Sequence, residues 1–380
     1  GLIFSIGPSG TIDAADHQVI DGTGNTLMPG MIEGHAHTME GTLWRNVYVG
    51  WFDRMDPDGK TWSGAKSIDA VIERLSSAEA ALSDPDEPIS GWSLDPIYMD
   101  NKRVTRQDLD RVSSTRPVGV LHASGHILNA NSKALEMAGL LKPGVNHPGI
   151  PLGADGLPTG ELYGPDAMTP VAGFVGYDRA MTDCDERGLL DYAKLCVRAG
   201  VTTSTDLAAR LTDESVSMML DVTSRGRFPL RVVPLRVFFG MTPEECVAYV
   251  LELKEKSTDL LRLGRIKAVA DGSIQGFSAR MRWPGYHNGA PNGLWYTPPE
   301  QMSELYNLAL AAGVHVHTHT NGDQATQLAL DVFDTATRPK PTPDHLNNHI
   351  HTPNPNPNPN PTVQNNHHTH NTTGHNPHAA

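Results

Sequence analysis

Two histidine runs and one lysine carry the chemistry in this sequence. His35 and His37 stand in MPGMIEGHAHTMEG. On an extended strand, residues two apart point to the same face. Two imidazoles at the carboxyl end of an apolar strand are well placed to hold one divalent metal. The plainer reading is two polar residues at a strand end, and the apolar lead-in after Pro29–Gly30 favours the metal. In VHVHTHTNGD, His315, His317 and His319 alternate on one face. Neighbours in that row lie about 6.5 Å apart along the strand, so all three cannot be ligands. His319 is nearest the carboxyl end and is the best candidate, while His315 and His317 read as core or supporting groups. Lys267 lies within RIKAVADGSIQG, a strand otherwise rich in apolar residues. A lone buried charge is costly, so an inward lysine needs a partner or a modification; ordinary snorkelling is the alternative. Asp271 sits at the end of the same strand, where a catalytic or binding group would sit.

The elements that must position these groups alternate. From about residue 185 the chain reads as a helix ending at Gly200, a strand in VTTSTDL, a helix over 213–226 and a strand in PLRVVPLRVFF. Thr242, Pro243 and Glu245 predict a capping box and helix start. Thr297, Pro298 and Glu300 repeat that pattern ahead of a helix that stops at Gly313, and another helix covers about 322–336. Such alternation means parallel strands with crossover helices. Both a doubly wound sheet and a (β/α)8 barrel satisfy it. Residues 1–30 read as two or three short strands. Residues 44–165 break the rhythm with one good helix at about 68–82 and Gly/Pro-rich loops, which predicts an inserted subdomain.

Bulk composition narrows the function classes. The formal charge is −13, with no basic face for nucleic acid. No apolar run reaches the roughly 18 residues that span a bilayer. Three cysteines without a pairing pattern, Cys184, Cys196 and Cys246, read as buried reduced thiols and fit a cytoplasmic location. The first residue is Gly1, so an upstream segment is expected to be missing. Residues 344–380 are nearly all Asn, Pro, His and Thr. That composition predicts disorder, with a His-rich metal-binding tail as the rival reading.

Several ordered motifs over about residues 10–340 carry a resemblance. PGMIEGHAH, TRQDLDRVSSTRPVGVLHASGHILNANSKALEMAGL, DGLPTGELYG, AGVTTSTDL, IKAVADGSIQG and HTHTNGD resemble the amidohydrolase superfamily. Within it they resemble amidohydrolase family 3, the YtcJ-like branch that includes N-substituted formamide deformylases. The resemblance implies a (β/α)8 TIM-type barrel over 31–343, with a partial β-sandwich at 1–30. It implies His35, His37 and His319 as ligands of a divalent metal, most simply zinc. Lys267 would be the fourth-strand ligand, as a carbamylated lysine if it takes up CO2. His126 and Trp92 would line the substrate pocket. The implied reaction is hydrolysis of a non-peptide carbon–nitrogen bond in a small acylated amine or amide, using metal-activated water.

The sequence departs from that pattern towards its end. His349 or His351 falls where the family has a sixth-strand histidine, and no eighth-strand Asp-x-Pro-like motif follows. The catalytic acid–base residue is therefore unassigned, and the last strands of the barrel are expected to be missing. An impaired fragment is one consequence. A non-catalytic metal- or ligand-binding remnant is the other.

Overall fold

The computed structural model describes residues 3, 5–8, 18–100, 102–177, 184–274, 276–338 and 350–351. Six strands form one sheet: β1 (Met31–Glu33), β2 (Val201–Ala209), β3 (Arg231–Val237), β4 (Arg265–Val269), β5 (His315–His319) and β6 (Ile350–His351). Their spatial order follows the chain, and every neighbouring pair is parallel. A doubly wound sheet reverses its strand order at a switch point. The unbroken order seen here excludes that alternative.

A helix leads into each strand after the first: Glu186–Arg198, Asp213–Ser224, Pro243–Lys254, Pro299–Ala311 and Asp323–Thr337. Their starts follow local chemistry. Asp185 and Thr212 accept the N–H groups of Gly188 and Ser215. Thr242 and Glu245 close the expected capping box, with Pro243 at the first position. The matching expectation at Thr297 is corrected. Pro298 occupies the cap without a side-chain bond, and the buried Thr297 hydroxyl donates to Val269 O at 2.8 Å. A strand carbonyl within reach outcompetes the helix end for that hydroxyl.

Apolar helix faces and strand residues build two clusters on this sheet, one around Leu189, Met219 and Val232, the other around Ile266, Tyr306 and Val316. All three cysteines are buried thiols outside any disulfide among the described residues, as expected. Among the described residues no helix is long and apolar enough to cross a membrane.

The inserted stretch is more ordered than its sequence suggests. Helix Ile68–Glu79 is present, capped by Ser67. The supposed loops also contain a five-stranded mixed sheet in the order Val47–Tyr48, Ile89–Leu94, Val118–His122, Ile127–Ala130, Glu161–Tyr163. The first two pairings are parallel and the last two antiparallel. These strands are short and buried on both faces, so they show little alternation, and Gly91, Ser93 and Gly119 give them the look of turns. Helix Gly164–Ala172 and the turn Gly173–Val175 pack against them.

Among the described residues of 1–30 there is no strand, and Leu27, Ile20 and Val19 are exposed. Residues 9–17, His349 and, apart from the two residues of β6, the 344–380 tail lie outside the described residues.

Candidate metal centre

His35 and His37 follow β1 directly, just beyond the strand itself. Their rings meet edge-on at 5.7 Å between centroids. Two contacts fix this segment. The His35 N–H donates to Glu33 Oε1 at 2.9 Å. Helix Met39–Leu43 starts two residues after His37 and rests on helix Glu186–Arg198 through Gly41. A Cβ at Gly41 would lie 1.9 Å from Gly188 O, so only glycine permits the approach. Thr38 is fully buried and donates to Asp206 of β2.

The sheet then brings distant strands together. The ring of His317, on β5, lies 5.7 Å from His35. In a flat sheet β1 and β5 would be four spacings apart, about 19 Å. The contact therefore requires a curled sheet, and it brings the first and fifth strands around one interior. Lys267 on β4 is in register with His317, and Val269 with His319. Lys267 is 2% exposed, and its Nζ has no hydrogen-bond partner among the described residues.

The electrostatics are uniform in direction. Burial pushes Lys267 down to about 7. Burial first, then the charges of Lys267 and His126, push His37 down to about 3. His126 falls to about 4 from burial and then Lys267. A low-dielectric surrounding disfavours every cation, so the His37 and His126 imidazoles stay neutral at physiological pH.

His319 is buried, and its ring lies 4.8 Å from that of His126. Its Nε2 faces Asn321 Nδ2 at 3.1 Å and Gly272 O at 3.3 Å. His126 comes from the insert, so the insert closes over the carboxyl end of β5. Asp271 accepts N–H donation from Arg280 at 2.8 Å, Asn321 at 2.9 Å and Gly322 at 2.8 Å. Burial nonetheless pushes it up to about 6, against the pull of those three donors. Its geometry is that of a clasp between the loops after β4 and β5. Trp92 packs instead with Trp44 at 5.0 Å and Tyr48 at 5.4 Å, inside the insert core, with the Arg54 guanidinium 5.6 Å away.

The structure thus gathers His35, His37, Lys267, His126 and His319 at one end of the sheet, and joins Trp92 to a different cluster. It adds His317, which the same-face alternation already offered but which only the register against Lys267 singles out. It also adds Tyr296 and Asn321, whose roles depend on loop paths that periodicity does not encode.

Among the described residues no three His, Cys, Asp or Glu side chains already converge tightly enough to hold an ion by themselves. The donor set nevertheless suits a divalent cation. Metal ligands must be deprotonated, and here the His37 imidazole is neutral while burial holds Lys267 at about 7. His37 Nδ1 and Lys267 Nζ are buried without hydrogen-bond partners among the described residues, which is where an ion or a modified lysine would find its contacts.

Comparison with known proteins gives the family and the fold. The chain is 26% identical over 339 residues to N-substituted formamide deformylase of Arthrobacter pascens, covering 84% of this chain and 58% of that protein. It is 25% identical over 358 residues to Protein LONG AFTER FAR-RED 3 of Arabidopsis thaliana, covering 88% and 57%. The chain therefore spans less than three-fifths of the length of these relatives. A solved structure, an uncharacterized metal-dependent hydrolase from Pyrococcus horikoshii OT3, superposes with a TM-score of 0.52 at 19% identity, over 81% of this chain and 56% of that one. That likeness supports the fold. The model of the amidohydrolase family matches residues 18–359, most of the sequence, and the chain belongs to that family.

Proposed function

We propose that this chain carries the first part of a metal-dependent hydrolase centre acting on amide-type carbon–nitrogen bonds. In this reading its parallel strands are part of a (β/α)8 barrel. The observation that carries it is the convergence, across a curled sheet, of imidazoles on a buried lysine that has no hydrogen-bond partner among the described residues. His35, His37 and His319 would hold the ion, with Lys267 as the ligand from β4. Zinc suits such nitrogen donors, and a carbamate would add an oxygen donor.

A bound divalent ion would supply an activated water with a pKa near about 7 and would polarise the amide carbonyl. The residues prepare that chemistry. Neutral His37 offers a lone pair in place of a proton, and the His35 ring stands beside it. Lys267, with its pKa near 7, holds a large neutral fraction at physiological pH. The neutral amine can attack the carbon of CO2, forming an N–C bond and releasing one proton to solvent. The product is a carbamate anion on a side chain that otherwise lacks a partner. His126 and the loop after β4 cover the centre and exclude water from it.

Substrates of this class are small acylated amines. The formamide deformylase relative directs attention to N-substituted formamides. The test combines two measurements on the purified chain. Elemental analysis is expected to find near-stoichiometric zinc that disappears in the His35→Ala/His37→Ala double variant. A panel of N-alkyl and N-aryl formamides is expected to release formate in proportion to metal content. Absence of metal from both proteins would sink the metal centre. Metal without turnover of any formamide would sink the substrate class.

A further inference from the structure

The loop after β4 carries a polar atom that no part of the proposed metal centre uses. Tyr296 Oη is fully buried and has no hydrogen-bond partner among the described residues. Leaving a buried hydroxyl unsatisfied carries a desolvation penalty, and the few such groups in folded proteins call for an explanation. The Ser278 hydroxyl is near enough to act on it as a hydrogen-bonding group, without reaching hydrogen-bond geometry, and the charges of Asp271, Asp166 and Tyr286 act on it too. The Ser278 hydroxyl is already engaged, accepting from Ser273 N at 3.0 Å and facing Ser273 O at 3.4 Å.

The position of the phenol is fixed from both sides. Tyr296 N–H donates to Ala270 O at 2.9 Å, so its backbone is pinned just past the end of β4, three residues beyond Lys267. The following residue, Thr297, is anchored to Val269 O. The Tyr296 ring lies 5.8 Å from His126, whose own ring lies against His319. On the other side, Gly164 has φ +77°, and a Cβ there would press within 3.0 Å of the Tyr296 hydroxyl, Cζ and Cε1. Glycine is the residue that both accepts this backbone conformation and leaves the phenol room. Burial raises the phenol to about 12, so it is a neutral O–H donor.

We propose that Tyr296 is a substrate-binding residue whose hydroxyl hydrogen-bonds the carbonyl oxygen of the amide substrate. This rests on the function proposed above and extends it to a residue outside the metal ligands. A neutral donor suits a carbonyl oxygen in both stages of the reaction. It binds the amide in the ground state and holds the oxygen more strongly as negative charge builds on it. The same hydroxyl has no hydrogen-bond partner among the described residues to give up when substrate binds.

Tyr296→Phe removes the oxygen and keeps the ring. The expected result is an unchanged or higher Tm in ligand-free protein, unchanged metal content, and a fall in kcat/KM for the formamide panel of about 10²-fold. Thr297→Val is the control, because that hydroxyl is satisfied by Val269 O. It is expected to lower Tm while leaving kcat/KM as it was. Unchanged kcat/KM in Tyr296→Phe would overturn the inference. So would a Tm loss like that of Thr297→Val, which would mark the hydroxyl as structural. The Tm arm needs no turnover. A wild type that hydrolyses no formamide would count against the proposed substrate class and with it the carbonyl contact, and a Tm loss in Tyr296→Phe would overturn the inference separately.

Discussion

His122 and His37 have similar electrostatics and different surroundings. Both are buried, and burial pushes both down to about 3. In the insert, His122 Nε2 meets Asn129 Oδ1 at 2.5 Å, and Asn129 Nδ2 donates to Val104 O at 2.6 Å. Nearby, Arg103 Nε donates to Glu161 at 2.6 Å, and Tyr163 donates to the same carboxylate at 2.9 Å. At the mouth of the curled sheet, His37 Nδ1, Lys267 Nζ and Tyr296 Oη have no such closure. A depressed histidine pKa therefore does not mark a functional site by itself. The partnered groups around His122 specify the insert's fold. Orphaned atoms occur in both regions, with Trp92 Nε1 and Arg103 Nη1 in the insert, but at the mouth they gather beside the histidines of the proposed centre.

The sharpest way to break this contrast is Lys267→Met in chelator-treated protein. Lys267 titrates near 7 when folded, below the ordinary 10.5 of an exposed amine. Between those values the unfolded chain holds more protons, so stability rises with pH from about 7 towards 10.5. Lys267→Met is expected to abolish that rise and to be more stable than wild type at pH 7. Chemical denaturation at pH 7 and pH 9.5 measures it, and parallel behaviour of the two proteins would show that the lysine is not held uncompensated.

A smaller, opposite effect belongs to the insert. Asn129→Ala strands both His122 and the Val104 carbonyl, and should destabilise by about 1–3 kcal/mol. Metal content is expected to stay unchanged. Loss of metal in that variant would erase the distinction between the two regions.

The smallest effect tests whether the contrast belongs to the mouth alone or to the whole parallel sheet. Thr242 is fully engaged in its capping box. Thr242→Ala should cost about 1 kcal/mol without altering the pH dependence seen with Lys267. A shifted pH profile would extend the unusual electrostatics beyond the mouth.

Much of this was legible in the residues, unevenly. The helices after residue 185 follow from 3.6-residue periodicity and from caps such as Asp185 and Thr242, which act within a few residues. The pairing of His35 with His37 follows from spacing alone. Thr297 shows the limit, since its motif is that of a cap and its hydroxyl goes to Val269, a partner 28 residues away. The insert's five strands stayed hidden because residues buried on both faces lose the alternation that betrays a strand. Trp92 carried a family expectation, and packing placed its ring with Trp44 and Tyr48.

The sequence by itself determined which residue types could bind a metal and that parallel strands would present them, because side-chain direction and helix capping are local. Tertiary structure alone decided that the sheet winds in one direction, curls until His35 meets His317, and lets the insert set His126 beside His319 and Tyr296. Those contacts join residues more than 100 positions apart. Their closeness comes from the curvature of the sheet and from burial, which no local pattern records.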